Sequence, residues 1–386
     1  MPHALAGDDV VVTFDEQGAM IAATVATMGA AHGQPSCSHF LQCGGCKMQH
    51  MNAAAYGAWK QQFVQQALAD NGLDPSVVGA PLISPPQSRR RATFAATKQG
   101  KQITLGFNQA RSHQVIDLQM CSVLRPEITA LLPPLRAMLA SYMGEVRTLD
   151  LRVTLLDGVL DLVVIGGVGP RLREREMLGL LAQEANIGRI SWRKWDRSAD
   201  EVILQRLPVR AIFPQGQVDF PPGGFLQATQ EGETALAQAV CAAVGAASPV
   251  ADLFCGVGTF ALALSPRALL AVDADGAAIA ALQNALRNKA RTTVTARNLV
   301  REPLTAMELA SYKAVIFDPP RDGAKAQAQE LAASKVPCVV AVSCDLNSFC
   351  RDAKILQAGG YQLESVTLVD QFLWSTHIEL VGIFRK

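Results

Sequence analysis

No stretch of this 386-residue chain is both long and apolar enough to read as a membrane span. Two apolar runs without charge, Ala235 to Ala251 and Leu253 to Pro266, are short, rich in Gly, Ala and Ser, and separated by Asp252. The N-terminus also lacks the basic segment and apolar run of a signal peptide. Asp8 and Asp9 stand where such a peptide is cationic, so a cytoplasmic protein is expected. Charge of one sign is missing too: 35 Lys and Arg face 34 Asp and Glu, which excludes a globally basic nucleic-acid coat while leaving room for a local basic face. With 49% hydrophobic and only 18% charged residues, the composition is far from that of a disordered chain, and the length suits two or three domains. There is no internal repeat.

Cysteine is present in a telling number. Nine thiols, an odd count without a secretion signal, argue for metal-binding or catalytic roles over a disulfide framework. Cys37-x5-Cys43-Gly44-Gly45-Cys46 gathers three thiols in a short glycine-containing loop, and Cys121, after the strand-like Val115 to Leu118, is the nearest candidate for a fourth. On spacing alone an iron–sulfur cluster, a structural zinc and a set of unrelated buried thiols all remain open, with His39 and His50 as further zinc ligands to consider. Cys241, Cys338 and Cys350 read as packing residues.

The chain divides into three parts. Val10 to Phe14 and Ile21 to Thr27 flank a turn-like Asp15-Glu16-Gln17-Gly18 and predict a hairpin. Tyr56 to Ala69 has helical spacing and Asn71-Gly72 stops it, after which Pro81 to Pro86 reads as a linker. From Arg89 to about Leu207 the pattern is strand-rich, and Asp157-Gly158 marks a hairpin between Leu151 to Leu156 and Leu160 to Ile165. Beyond Phe220-Pro221-Pro222-Gly223-Gly224, short apolar strands alternate with Ala-rich helical stretches. Strands are expected at Val250 to Phe254, Leu269 to Val272, Ala314 to Phe317, Val339 to Val342, Ser365 to Val369 and Ile378 to Phe384, in a mostly parallel α/β sheet covered on both faces.

Four motifs in this last part carry chemistry. Asp252-Leu-Phe-Cys255-Gly256-Val-Gly258-Thr-Phe260 follows a strand and opens a helix, where a nucleotide-like cofactor sits in a doubly wound sheet. Asp273, ending the next strand, stands where a carboxylate meets ribose hydroxyls, although the glycines alone do not separate NAD from S-adenosylmethionine. Asp318-Pro319-Pro320-Arg321 holds a rigid loop over the same edge, and Ser343-Cys344-Asp345 places a candidate nucleophilic thiol there. Glu379, entering an apolar strand after Thr376-His377, is out of character unless it has a partner or does chemistry.

Taken together, these residues resemble the RNA 5-methyluridine methyltransferases, the family of the tRNA T-loop enzyme and two bacterial large-subunit rRNA enzymes. The resemblance rests on Cys37-x5-Cys43-Gly-Gly-Cys46-x2-Gln49-His50, Leu105-Gly106-Phe107 through His113, and Asp117 to Cys121. It continues through Phe225-Leu226-Gln227, the Asp252 to Phe260 turn, Asp318-Pro-Pro-Arg321, Ser343-Cys344-Asp345 and His377-Ile-Glu379. It implies a class I, Rossmann-like S-adenosylmethionine-dependent methyltransferase sheet with a β-rich, iron–sulfur-bearing central domain. The expected segments are 1–36, a short β segment in which the family's OB-like domain is reduced or absent; 37–215, cluster and RNA binding; and 216–386, catalysis.

By the same resemblance Cys37, Cys43, Cys46 and Cys121 hold a [4Fe-4S] cluster, and S-adenosylmethionine contacts Gln227, Phe254, Gly256, Gly258, Asp273 and Asp318. Cys344 is the nucleophile that adds to uracil C6, Glu379 the base that removes the C5 proton, and Asp318 orients the ring. The implied substrate is RNA, with 23S rRNA favoured over tRNA, and the implied state is a monomer. Candidate phosphate contacts are Arg89, Arg90, Arg91, Arg111, Arg171, Arg173, Arg175, Arg193 and Lys194. Asp345 stands where the family more often has Asn, Ala228-Thr229 where Val-Asn is usual, and Phe372-Leu-Trp374 where a Phe-Pro segment is usual. The competing readings are a methyltransferase acting on another atom, which would leave Cys344 idle, a non-enzymatic RNA-binding or iron–sulfur protein, and an NAD-dependent oxidoreductase.

Overall fold

The computed structural model describes residues 3–196 and 198–386. An eight-stranded sheet is ordered Thr292–Ala296, Leu269–Asp273, Val250–Leu253, Ala314–Phe317, Cys338–Ser343, Glu379–Arg385, Gln362–Asp370 and Leu82–Ile83. The first five strands are parallel, and Glu379–Arg385 runs antiparallel to both of its neighbours. Its central strands lack polar alternation because both faces are buried. Val250, Ile316 and Val340 pack on one side with Leu236 and Val240 of helix Gln230–Val244 and Leu282 of helix Gly276–Leu286. Ala251, Val315 and Val339 pack on the other with Phe349 and Ala353 of helix Leu346–Ala358 and Val64 and Leu68 of helix Ala53–Asp70.

Helix Ala53–Asp70 therefore lies on the catalytic sheet although it is distant in sequence. Asn52 caps its start by accepting the Ala55 N–H, and Asn71 ends it. The proline-flanked segment expected as a linker is drawn into the same sheet. Leu82 and Ile83 pair in parallel with Val369 and Asp370, and prolines on either side are tolerated because this is an edge.

A second, seven-stranded sheet is ordered Glu201–Gln205, Ile187–Arg193, Val159–Ile165, Thr148–Leu156, Arg91–Gln99, Gln102–Asn108 and Val115–Asp117. It is antiparallel except where Val159–Ile165 meets Ile187–Arg193 after the crossover helix Leu172–Glu184. Leu178 and Leu181 of that helix and Leu135 and Leu139 of helix Leu132–Tyr142 cover it. Asp157 and Gly158 both have positive φ, as the hairpin reading required. The expected N-terminal hairpin pairs Asp9–Phe14 with Met20–Thr27. Among the described residues no helix is long and apolar enough to cross a membrane.

Candidate active site

Strand register gathers the motifs. Leu253 pairs with both Val272 and Phe317, so the next residues, Phe254, Asp273 and Asp318, leave the sheet side by side. Ser343 lies opposite Leu380 in an antiparallel pair, so Cys344 leaves the sheet where Glu379 enters it. A cavity of about 550 Å³ at this edge is lined by Gln227, Phe254, Gly256, Asp273, Asp318, Cys344 and Glu379. Gly258 does not line it. Gly258 begins helix Thr259–Leu264 at φ +98°, and a Cβ there would run into Leu282, so this glycine serves close packing between two helices.

The turn around the cavity is strained and well held. Phe254 has φ +64° and Gly256 φ +52°. The Gly256 N–H donates to Asp273 Oδ2 at 2.9 Å, and the Asp275 N–H to Asp273 Oδ1 at 2.8 Å. A Cβ on Gly256 would meet nothing within 4 Å, so the backbone is open to the cavity. Asp273, Asp275, Asp318 and Glu379 line the cavity, with Arg321 as the cation among its lining residues. That excess of carboxyl groups suits a positively charged ligand such as a sulfonium, and the glycine turn with Asp273 suits its nucleoside part.

Burial and mutual repulsion set the protonation of these groups. Burial, then the charge of Asp273, pushes Asp318 up to about 7. Glu379 is raised well above the usual carboxylate range by burial and by Asp318, against which Arg91, a hydrogen bond from Gln371 and Arg321 act. Burial, Glu379 and Asp318 push the Cys344 thiol up to about 11. Two residues around these groups were not placed at this site by the sequence motifs. Gln371 is buried, donates to Gln227 Oε1 at 2.6 Å and accepts the Ala228 N–H at 2.7 Å, tying the donor side of the cavity to Glu379. Arg91 lies 4.1 Å over the Phe225 ring. Nothing in its local sequence marks Gln371, which follows the strand ending at Asp370.

The Asp345 departure from the family pattern is accommodated by helix capping: its carboxylate accepts the Ser348 N–H at 2.8 Å at the start of Leu346–Ala358. Tyr56 and Lys60 carry the Tyr-x3-Lys spacing of hydride-transfer enzymes, but both bond Asp370 and neither lines this cavity.

Cys37, Cys43, Cys46 and Cys121 line a second cavity of about 910 Å³, and Arg321 lines both this cavity and the first. The loop is pinned by a Gly44 N–H bond to the Asn108 carbonyl at 3.0 Å, and a Cβ on Gly44 would stand only 2.9 Å from that oxygen. Gln49 accepts the Cys37 N–H at 3.1 Å. Burial pushes the Cys46 thiol up to about 12, and the other three sulfurs push it the same way. Among the described residues, however, no three His, Cys, Asp or Glu side chains are drawn close enough to hold a metal ion. The thiols expected as a ligand set thus line one cavity, each partly exposed, without closing into a cage. His39 Nε2 accepts the Gln119 N–H, and His50 stacks on Phe40.

Several expected phosphate contacts are used inside the protein. Arg90 pairs with Glu233 at 2.7 Å, Arg193 with Asp200 at 2.6 Å, and Arg175 with Glu201. Arg89 and Arg91 lie against Phe372 and Phe225. Arg111, Arg171, Arg173 and Lys194 are exposed, and Arg111 joins Arg89, Lys47 and Arg321 in the lining of the second cavity.

A family model described as tRNA (uracil-5-)-methyltransferase matches residues 220–386. An uncharacterized RNA methyltransferase of Brucella suis is 42% identical over 100% of this chain and 92% of its own length. The 23S rRNA (uracil(1939)-C(5))-methyltransferase RlmD of Shewanella denitrificans is 30% identical over 100% of this chain and 90% of its own. The crystal structure of Pyrococcus abyssi tRNA (uracil-54, C5)-methyltransferase with S-adenosyl-L-homocysteine superposes with a TM-score of 0.74 at 19% identity, covering 98% of this chain and 93% of that one, a likeness of fold.

Proposed function

Because this chain belongs to the RNA (uracil-5-)-methyltransferase family of S-adenosylmethionine-dependent enzymes, we propose that it forms 5-methyluridine in 23S rRNA through Cys344 and Glu379. The observation that carries the mechanism is the register that sets Cys344 and Glu379 opposite each other at the cavity that also holds Asp318 and Gln227. The methyl donor, when bound, supplies an electrophilic sulfonium methyl group. Gln227, Phe254, Gly256, Asp273 and Asp318 are the residues that hold it.

C5 of uracil is a weak nucleophile. The Cys344 thiolate adds to C6, and the electron pair displaced from the C5–C6 double bond makes C5 nucleophilic enough to take the methyl group. The Glu379 carboxylate then removes the C5 proton, the double bond re-forms, and the C6–S bond breaks to release the thiolate. The raised affinity of Glu379 for a proton makes its carboxylate a stronger base than a solvated one, and Arg91 and the Gln371 amide act against that rise. Asp318 orients the ring through its polar edge. The target base must be unstacked to reach an enclosed site of this size.

Likeness to RlmD along the whole chain supports rRNA as substrate, and the second cavity, with Arg89, Arg111 and Arg321 beside Phe107 and Phe372, supports a path for unstacked RNA. A tRNA T-loop uridine is the second reading, favoured by the likeness in fold to the Pyrococcus enzyme. One complete cavity per chain supports a monomer, and free thiols in place of a disulfide framework support a cytoplasmic protein.

The four cysteines around one cavity support a [4Fe-4S] cluster, since four thiols are the donor set such a cluster takes. Anaerobically purified protein should contain iron and sulfide and absorb broadly in the visible. Bound zinc with no such absorbance would overturn the cluster.

The test of the function is nucleoside mass spectrometry on unmodified rRNA and tRNA transcripts incubated with the protein and methyl-labelled S-adenosylmethionine. Label in 5-methyluridine of rRNA is expected. Label in the tRNA transcript selects the second reading, and label in any other nucleoside rejects the Cys344 chemistry.

A further inference from the structure

The loop between strand Gln362–Asp370 and strand Glu379–Arg385 carries Gln371 at one end and Glu379 at the other, so its shape sets both groups against the substrate. Two side chains of one helical turn, Tyr56 and Lys60 of Ala53–Asp70, hold it from below, and both are buried. Lys60 pairs with Asp370 at 3.1 Å, also fully buried, and donates to the His377 carbonyl. The Tyr56 hydroxyl donates to Asp370 Oδ2 at 2.6 Å and accepts the Trp374 N–H at 2.8 Å. Trp374 has φ +59°, a conformation a bulky side chain keeps only when its surroundings fix it, and its carbonyl accepts the N–H groups of Lys47 and Met48 from the cysteine loop. The loop is thus fixed at residues 370, 374 and 377, before and within two residues of the base.

We infer that Tyr56, Lys60 and Asp370 form a positioning device that holds the proposed base Glu379 and its partner Gln371 in their working geometry, a role that rests on the function proposed above. None of the three lines the reaction cavity, so each acts through the loop. An ion pair buried this completely is an expensive way to anchor a loop if packing alone were needed. Its three loop contacts, all on the approach to Glu379, give it a use.

The test compares Tyr56→Phe, which leaves the ion pair intact, with the double variant Lys60→Met, Asp370→Asn, which avoids a lone buried charge, and with Glu379→Gln. Each is given S-adenosylmethionine and RNA tritiated at uridine C5, and followed by tritium release, by the protein–RNA band on denaturing gels, and by S-adenosyl-L-homocysteine binding. Both positioning variants should release tritium about tenfold or more slowly and accumulate the covalent band, as Glu379→Gln does, while binding S-adenosyl-L-homocysteine normally. A purely structural role would not trap the adduct. Normal release with no band, or loss of S-adenosyl-L-homocysteine binding, overturns the inference alone when Glu379→Gln traps. If Glu379→Gln does not trap, the base assignment falls and this inference with it.

Discussion

Cys344 stands where two carboxyl groups and burial oppose its ionisation. A cationic ligand in the cavity would offset those carboxyl groups and favour the thiolate. Cys344→Ala should therefore abolish 5-methyluridine formation and leave S-adenosyl-L-homocysteine binding, measured by calorimetry, unchanged; substantial residual turnover would remove the nucleophile assignment. Asp318 gives a pH prediction. Its carboxyl titrates near 4 when unfolded and at about 7 in the fold, so the folded state holds the proton more tightly. Stability then falls as pH rises from about 4 to 7 and stays lower above that range. Urea midpoints at pH 5 and pH 8 should differ less in Asp318→Asn than in the parent, and equal differences would reject the raised carboxyl. Cys344, Glu379 and Asp318 could be picked from the sequence because each is a reactive type at a strand end. Gln371 could not, since a glutamine becomes informative only once its amide is seen to reach Gln227 and Glu379.

At the scale of elements, the glycine turn joins two demands. Gly256 keeps the backbone open at the cavity, whereas Gly258 lets helix Thr259–Leu264 pass against Leu282. Gly258→Ala combines a left-handed backbone with a steric clash and should cost about 2–3 kcal/mol in urea unfolding. Gly256→Ala should cost less in stability and should weaken S-adenosyl-L-homocysteine binding. An equal cost at both positions would reject this division of labour. Apolar runs revealed the central strands because both faces of the sheet are covered. Thr292–Ala296 was not expected, since it is an exposed polar edge strand without an apolar run. Leu82–Ile83 was hidden by its prolines and joins the sheet only through a partner strand far along the chain.

At the scale of the molecule, Arg321 lines both cavities, which places the cysteine loop and the reacting groups on either side of one side chain and fits the path for RNA proposed above. Most of the arginines that looked available for phosphate are ion-paired or stacked, so the near-zero net charge is matched by few free cations along this route. Arg111 is exposed at its rim. Arg111→Ala should weaken RNA binding and reduce the slope of log Kd against log salt by about 1, and an unchanged slope would remove Arg111 as a phosphate contact. Helix Ala53–Asp70 touches both regions. It follows the cysteine loop in sequence, packs on the catalytic sheet and grips the loop before Glu379.

The sequence by itself determined the α/β class, the glycine turn, the candidate reactive groups and the family they resemble. These depend on local patterns: apolar period, turn residues, and reactive side chains at strand ends. Tertiary structure alone decided which groups meet. Register across a sheet set Cys344 against Glu379, burial set their protonation, and packing between distant segments tied Tyr56 and Lys60 to Asp370. Contacts between residues hundreds of positions apart leave no periodic trace in a single sequence. The same limit applied to the arginines, whose local spacing gave no sign of the acidic and aromatic partners that occupy them.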